Sequence, residues 1–207
     1  MHVQWFGNTC LKIQSNGATV VIDPYKIGNL KSPRMAADVL LLTSQDFFGA
    51  SSSVSGDKFL IDSPGEYEVK NIMITALSSN GNGDTKAQTF YYLDLHGISV
   101  AHLGRAQKGQ LSDKQLEMLE NVDLLFVPVG GSNAVDAKGA AQLVSQIDPK
   151  IVVPIYYSTT KLKMKLDSLD KFIKEMSVKS ESTDKISLKA KDLPVDDMKM
   201  IILQPSV

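Results

Sequence analysis

Cysteine is nearly absent: Cys10 is the single one among 207 residues. An internal disulfide is therefore excluded, as is any Cys-pair zinc site or redox dithiol, and a reducing compartment is expected. Long apolar runs are also missing. Nothing approaches the roughly 20 residues that span a bilayer. Met1-His2-Val3-Gln4-Trp5 lacks the basic-then-apolar order of a secretory signal. Net charge is missing as well, with 22 basic against 23 acidic residues, which removes any chain-wide pull toward nucleic acid or an anionic membrane. These absences predict a soluble cytoplasmic protein whose partner is a small ligand or another protein, a second copy of itself included.

At 43% hydrophobic residues the chain can bury a full core, and one domain over 1–207 is predicted. Thr9 to Gln14 and Ala18 to Ile22 flank Ser15-Asn16-Gly17, a hairpin signal because Asn-Gly tolerates positive φ. Val39 to Leu42 is a continuous apolar run ending at Thr43, as in a strand covered on both faces, so a site is expected at its carboxyl end. Further strands are predicted at Lys58 to Ile61, Ile72 to Leu77, Gln88 to Leu95 and Ile98 to Leu103. Beyond them the rhythm becomes βαβ. Ser112-Asp113-Lys114-Gln115 reads as a capping box opening a helix, Leu124 to Pro128 and Ile151 to Pro154 as buried strands, and Asp136 as the cap of the helix between them. Leu166, Leu169, Phe172, Ile173 and Met176 form another helical stripe, with a terminal strand at Met198 to Leu203. Ser51-Ser52-Ser53 and Ser78 to Asp84 read as exposed loops.

Seven segments carry a resemblance: Trp5-Phe6-Gly7 with Cys10, Val21-Ile22-Asp23-Pro24, the run ending in Thr43, Pro64 to Val69, His102-Leu103-Gly104, Pro128 to Gly131 with Asp136-Ala137-Lys138, and Pro154-Ile155-Tyr156-Tyr157. In this order the chain resembles the metallo-β-lactamase superfamily, particularly its small UlaG-like bacterial hydrolases. That resemblance implies an α/β fold, an αββα sandwich of two packed mixed sheets with helices outside and the site at one edge.

The resemblance also implies where metal ligands would stand, and there the chain departs from the pattern. Family enzymes carry His-x-His-x-Asp-His after the Thr-ending strand. This chain reads Ser44-Gln45-Asp46-Phe47-Phe48-Gly49, so the ligand positions hold Ser44, Asp46, Phe48 and Gly49. The next histidine position falls near Asn80, the bridging aspartate position is Arg105, and the last histidine position is Tyr156. Zinc needs three or four imidazole, thiolate or carboxylate donors. Asp46 alone remains, and Arg105 would repel the ion. No catalytic residue and no cofactor are therefore expected, with Zn or Mn as the alternative. Asp23, Ser44, Asp46, Phe48, Gly49, Asn80, Arg105 and Tyr156 are expected to form a vestigial pocket, with Arg105 and Asp46 as a buried pair, because an unpaired guanidinium is costly to bury, and with Tyr156 and Phe48 closing the remainder.

Other residues receive plainer readings. His102 donates structural hydrogen bonds beside the pocket, while His2 and His96 lie on the surface. Cys10 is a small core residue, and Glu66 and Glu68 belong to a family turn in which Glu68 accepts a hydrogen bond. Lys161-Leu162-Lys163-Met164-Lys165 is a solvated edge or helix approach. The function expected is a non-catalytic binding or assembly module; the alternative is a metal-dependent hydrolase with an unusual or subunit-completed site.

Overall fold

A computed structural model describes residues 1–79, 87–160, 162 and 164–206. Two sheets dominate it. The six-stranded sheet runs, in spatial order, Ile186–Ser187, His2–Trp5, Leu11–Ser15, Ala18–Ile22, Val39–Leu41 and Phe59–Ile61. The hairpin of Leu11–Ser15 and Ala18–Ile22 turns on Asn16 and Gly17, at φ 44° and 82°, which is the geometry that Asn-Gly favours. The last three strands run parallel to one another. Val39–Leu41 is buried on both faces, in keeping with its unbroken apolar sequence.

The eight-stranded sheet has the order Gly65–Val69, Ile72–Ser78, Thr89–Asp94, Ser99–His102, Leu124–Pro128, Ile151–Ile155, Lys199–Leu203 and Ser180–Thr183. Its first four strands are antiparallel neighbours and the rest pair in parallel. The change comes where the sequence passes from hairpins to helical crossovers. Helix α1 (Asp113–Leu119) opens on the Ser112–Gln115 capping box, and α2 (Ala137–Ile147) on the Asp136 side chain, which accepts from the Gly139 N–H. Each cap satisfies backbone donors that the first turn leaves open. Helix α3 (Leu169–Met176) buries Phe172, and Leu166 lies before its Ser168 cap. The architecture is the α/β sandwich expected. One apolar core joins Trp5, Ile13 and Ile22 of the first sheet to Phe90, Phe126 and Val153 of the second.

Three local expectations change. Ser51-Ser52-Ser53 is the end of a 3-10 helix, Gln45–Ser53, rather than an open loop. Pro64 to Val69 is not a turn, since Gly65–Val69 is the edge strand of the larger sheet and both Glu66 and Glu68 are exposed. Ser79 is buried and accepts from the Gln88 N–H, while positions 80 to 84 lie outside the described residues, as do Lys161 and Lys163. Among the described residues no helix is long and apolar enough to cross a membrane.

Candidate functional site

At one rim of the sandwich the strand ends are bonded to one another. The Thr89 N–H donates to Thr43 O at 2.9 Å. The Tyr91 hydroxyl reaches Leu42 O and Ile61 O at 2.8 and 2.9 Å. Asn8 O accepts from the Tyr156 N–H at 3.1 Å and from Trp5 Nε1 at 3.0 Å. These bonds satisfy backbone groups that leave the ladders in the interior, and they hold the loops after Leu41, His102 and Ile155 around one cleft.

Asp23 sets the loop after Leu41. It is wholly buried, with φ 48°. Its two carboxylate oxygens accept from the Thr43 N–H and the Thr43 hydroxyl, each at 2.7 Å. Burial raises its pKa to about 6, against the lowering effect of the Thr43 bonds. His102 fixes the neighbouring loop, with Nε2 3.0 Å from Thr9 O and Nδ1 accepting the Gly104 N–H at 3.1 Å. That assigns the proton to Nε2. Burial lowers its pKa to about 4, so it is a neutral structural histidine. Cys10 is buried and its thiol pKa is pushed up, chiefly by desolvation, which suits a core residue. His2 and His96 are at the surface.

Arg105 follows directly. Its backbone is held by the Gln88 side chain, whose Oε1 accepts the Arg105 N–H at 3.1 Å and whose Nε2 donates to Arg105 O at 3.0 Å. Its guanidinium lies 5.0 Å from the Phe47 ring centroid and Nη2 bonds Asp46 Oδ2 at 2.7 Å. The Tyr156 hydroxyl sits close enough for the Arg105 charge to act on it, although desolvation dominates and raises its pKa. Tyr156 is buried, with φ 54°.

Asp23, Ser44, Asp46, Arg105 and Tyr156 therefore all stand at this rim, but Phe48 and Gly49 do not face into it. Phe48 is 50% exposed, and a Cβ on Gly49 would meet nothing within 4 Å. The reason is the 3-10 turn. With three residues per turn, positions i, i+3 and i+6 share a face, so Ser44, Phe47 and Ala50 turn inward and are buried. Ser44 caps the turn by accepting from the Asp46 N–H. Phe47, Asn8 and Gln88 were missed by the sequence reading. The apolar spacing Phe47 to Ala50 was the available signal for the first. Asn80 lies outside the described residues.

The Asp46–Arg105 pair is less buried than expected, its side chains being 38% and 15% exposed. A pair open to water on one side contributes about 1 kcal/mol or less. Arg105→Ala should therefore destabilise by about 1 to 2 kcal/mol in urea titration, including lost packing on Phe47, and Asp46→Asn by less. A loss of 3 kcal/mol from each would restore the buried-pair reading.

A family model described as the β-lactamase superfamily domain matches residues 2–156, three-quarters of the chain, from the first strand of the sandwich to Tyr156 at the rim. The chain belongs to the β-lactamase superfamily. Its superfamily relatives include a UPF0173 protein of Pyrococcus abyssi, 29% identical over 184 residues, covering 77% of this chain and 84% of that one. A protein of Lysinibacillus sphaericus named UPF0173 metal-dependent hydrolase is 26% identical over 197 residues, covering 77% and 86%. A crystal structure from Thermotoga maritima, named for the metallo-β-lactamase superfamily and provisionally for Zn-dependent hydrolysis, superimposes with a TM-score of 0.83 at 28% identity, covering 98% and 97% of the two chains.

These names overturn one expectation. The chain was expected to use no cofactor, whereas its superfamily relatives are named for metal-dependent and zinc-dependent hydrolysis and point to a metal. The donors at this rim do not by themselves fit one. Asp23 has both oxygens committed to Thr43, both His102 nitrogens are engaged, and Asp46 is bound to a cation. Among the described residues no group of three or more His, Cys, Asp or Glu side chains is placed to hold a metal ion, where zinc takes three or four such donors.

Proposed function

We propose that the cleft at Arg105 is a binding site for a small molecule, and that binding there is what this superfamily member does. The observation that supports it is the cleft itself, about 710 Å³ in volume, bounded by Asn8, Tyr25, Phe47, Arg105 and Tyr156. Its size is that of a small-molecule pocket, and its walls combine aromatic faces with a few fixed polar groups.

The names of the relatives support a second reading, a metal-dependent hydrolase whose centre is completed by donors from another subunit, with Asp46 as this chain's contribution. One experiment separates the two. Purified protein would be assayed for turnover of phosphodiesters, lactones, β-lactams and thioesters with added Zn or Mn, alongside a small-molecule binding screen read by amide chemical shifts. Ligands that shift the Tyr156, Asn8 and Phe47 amides without turnover support the binding reading. Metal-dependent turnover that Asp46→Ala abolishes would replace it with the hydrolase.

A further inference from the structure

We infer that the ligand of this cleft carries an oxyanion, a carboxylate or phosphate, which binds Arg105 by displacing Asp46. The inference rests on the cleft being a small-molecule site and names the class of molecule it takes.

The first argument is charge. The whole chain carries a formal net charge of −1, yet the cleft is bounded by the cations Lys26, Arg105 and Lys165, with Asp46 as the sole carboxylate among the described residues that line it. Asp46 pairs with Arg105, so among the described lining residues Lys26 and Lys165 outnumber the carboxylates left to face them. A concave surface of one sign concentrates ligands of the other.

The second argument is the asymmetry of the ion pair. Arg105 is the fixed partner: Gln88 holds its backbone from both sides, Phe47 lies under its guanidinium, and its side chain is 15% exposed. Asp46 is the more exposed partner, on the outer face of the 3-10 turn and 38% exposed. An exposed pair of this kind is weakly held. The guanidinium is also incompletely satisfied, since its Nε is buried without a hydrogen-bond partner among the described residues. It presents its donors in a planar fork that suits a two-oxygen acceptor. A free carboxylate or phosphate can orient both oxygens to that fork, whereas Asp46 is tethered to its turn. Asp46 thus acts as an internal stand-in for the ligand's anion and keeps Arg105 answered when the cleft is open.

The aromatic neighbours fit the same picture. The Tyr156 hydroxyl beside Arg105 can donate to an oxyanion, and its own acidity is suppressed by burial, so it stays a donor through the neutral range. The Asn8 side chain, buried with Oδ1 unpartnered among the described residues, supplies a second polar group next to Tyr156, whose N–H donates to Asn8 O, and its amide can be turned either way.

The test is titration with inorganic phosphate and with succinate at low ionic strength, followed by the amide shifts of Asn8, Phe47 and Tyr156. Wild type should bind at least one of the two, and which one binds distinguishes a phosphate from a carboxylate ligand. Asp46→Asn removes the competitor and should tighten binding about fivefold. Arg105→Gln should weaken it by about tenfold or more, with folding checked by circular dichroism. Lys26→Gln with Lys165→Gln, both on exposed side chains, should weaken it several-fold and flatten its salt dependence. This double variant decides the matter if Arg105→Gln does not fold. Unchanged or weaker binding in Asp46→Asn overturns the displacement, as does full binding in Arg105→Gln. If neutral molecules fill the cleft while both anions fail, the anion inference falls and the small-molecule reading stands. If nothing of either kind shifts those amides, both fall.

Discussion

Gly130→Ala should melt roughly 6 to 12 °C below the parent protein. The glycine follows the buried strand Leu124–Pro128, and a Cβ there would lie 2.2 Å from the Tyr156 carbonyl oxygen and 3.1 Å from Leu166 Cβ. The first contact is with backbone, which cannot rotate away. The Gly130 carbonyl also accepts the Asp167 N–H at 2.9 Å, so moving the Gly130 segment breaks the link to the approach of α3. Overpacking of this severity costs about 3 kcal/mol, and for a domain of this size each kcal/mol shifts the midpoint by roughly 2 to 4 °C. Because Tyr156 forms a wall of the cleft, the same variant should disturb its amide shift. Gly49→Ala is the matched control. It meets open space and should stay within about 0.5 kcal/mol of the parent. Equal melting temperatures for the two variants would mean that the Gly130 to Tyr156 approach can relax without cost.

That approach illustrates which parts of the molecule local sequence can disclose. The Asn16-Gly17 turn, the apolar run into Thr43, the Ser112–Gln115 box and the Asp136 cap of α2 were each legible, because each is a pattern within a few residues whose physical cause is local. The Gly130 contact is not local, since it depends on how two parallel strands end beside one another. The same limit hid Gln88, whose amide serves the Arg105 backbone from 17 residues away. It also hid Ser180–Thr183, a polar edge strand without the alternation that marks a half-buried one.

The rim was legible in outline and misread in detail. The family resemblance brought Asp23, Asp46, Arg105 and Tyr156 to one place, and the pairing of Arg105 with Asp46 followed from the cost of leaving a guanidinium unpaired. The choice of Phe48 over Phe47 rested on the residue order of a metal-binding loop. Here that stretch winds as a 3-10 helix, and the period of three selects the neighbouring aromatic. Predicting the amount of burial failed for a related reason. A pair can converge correctly and still face water, and only the surrounding surface decides that.

The stability of wild-type protein should change little between pH 4 and 6.5 on account of Asp23 and His102, the two buried rim groups that titrate in this window, while removing either one should expose a change of about 3 kcal/mol across it. Asp23 has its pKa raised to about 6 by burial, from an ordinary value of 3.8. The folded state then holds its proton more tightly than the unfolded chain, so this group's contribution is fully present below about 3.8 and is lost as pH rises through 6. His102 works in the opposite sense. Burial lowers its pKa from 6.5 to about 4, so the unfolded chain takes up the proton first, and its contribution is present above 6.5 and lost as pH falls toward 4. Each shift spans about two units, worth about 3 kcal/mol at 1.36 kcal/mol per unit, and across the shared window the two slopes oppose. Asp23→Asn leaves His102 unopposed, so that variant should lose stability on acidification. His102→Gln leaves Asp23 unopposed and should lose stability as pH rises from 4 to 6. Each substitution also has a fixed cost, since an Asn amide cannot accept both Thr43 donors and a Gln cannot serve both Thr9 and Gly104 as the imidazole does. That cost is independent of pH and does not affect the slope. Urea denaturation at half-unit steps from pH 4 to 7 reads the slopes directly. Parallel curves for the wild type and both variants would show that neither group is desolvated as its burial requires, and the rim would then be more open to water than the cleft geometry describes.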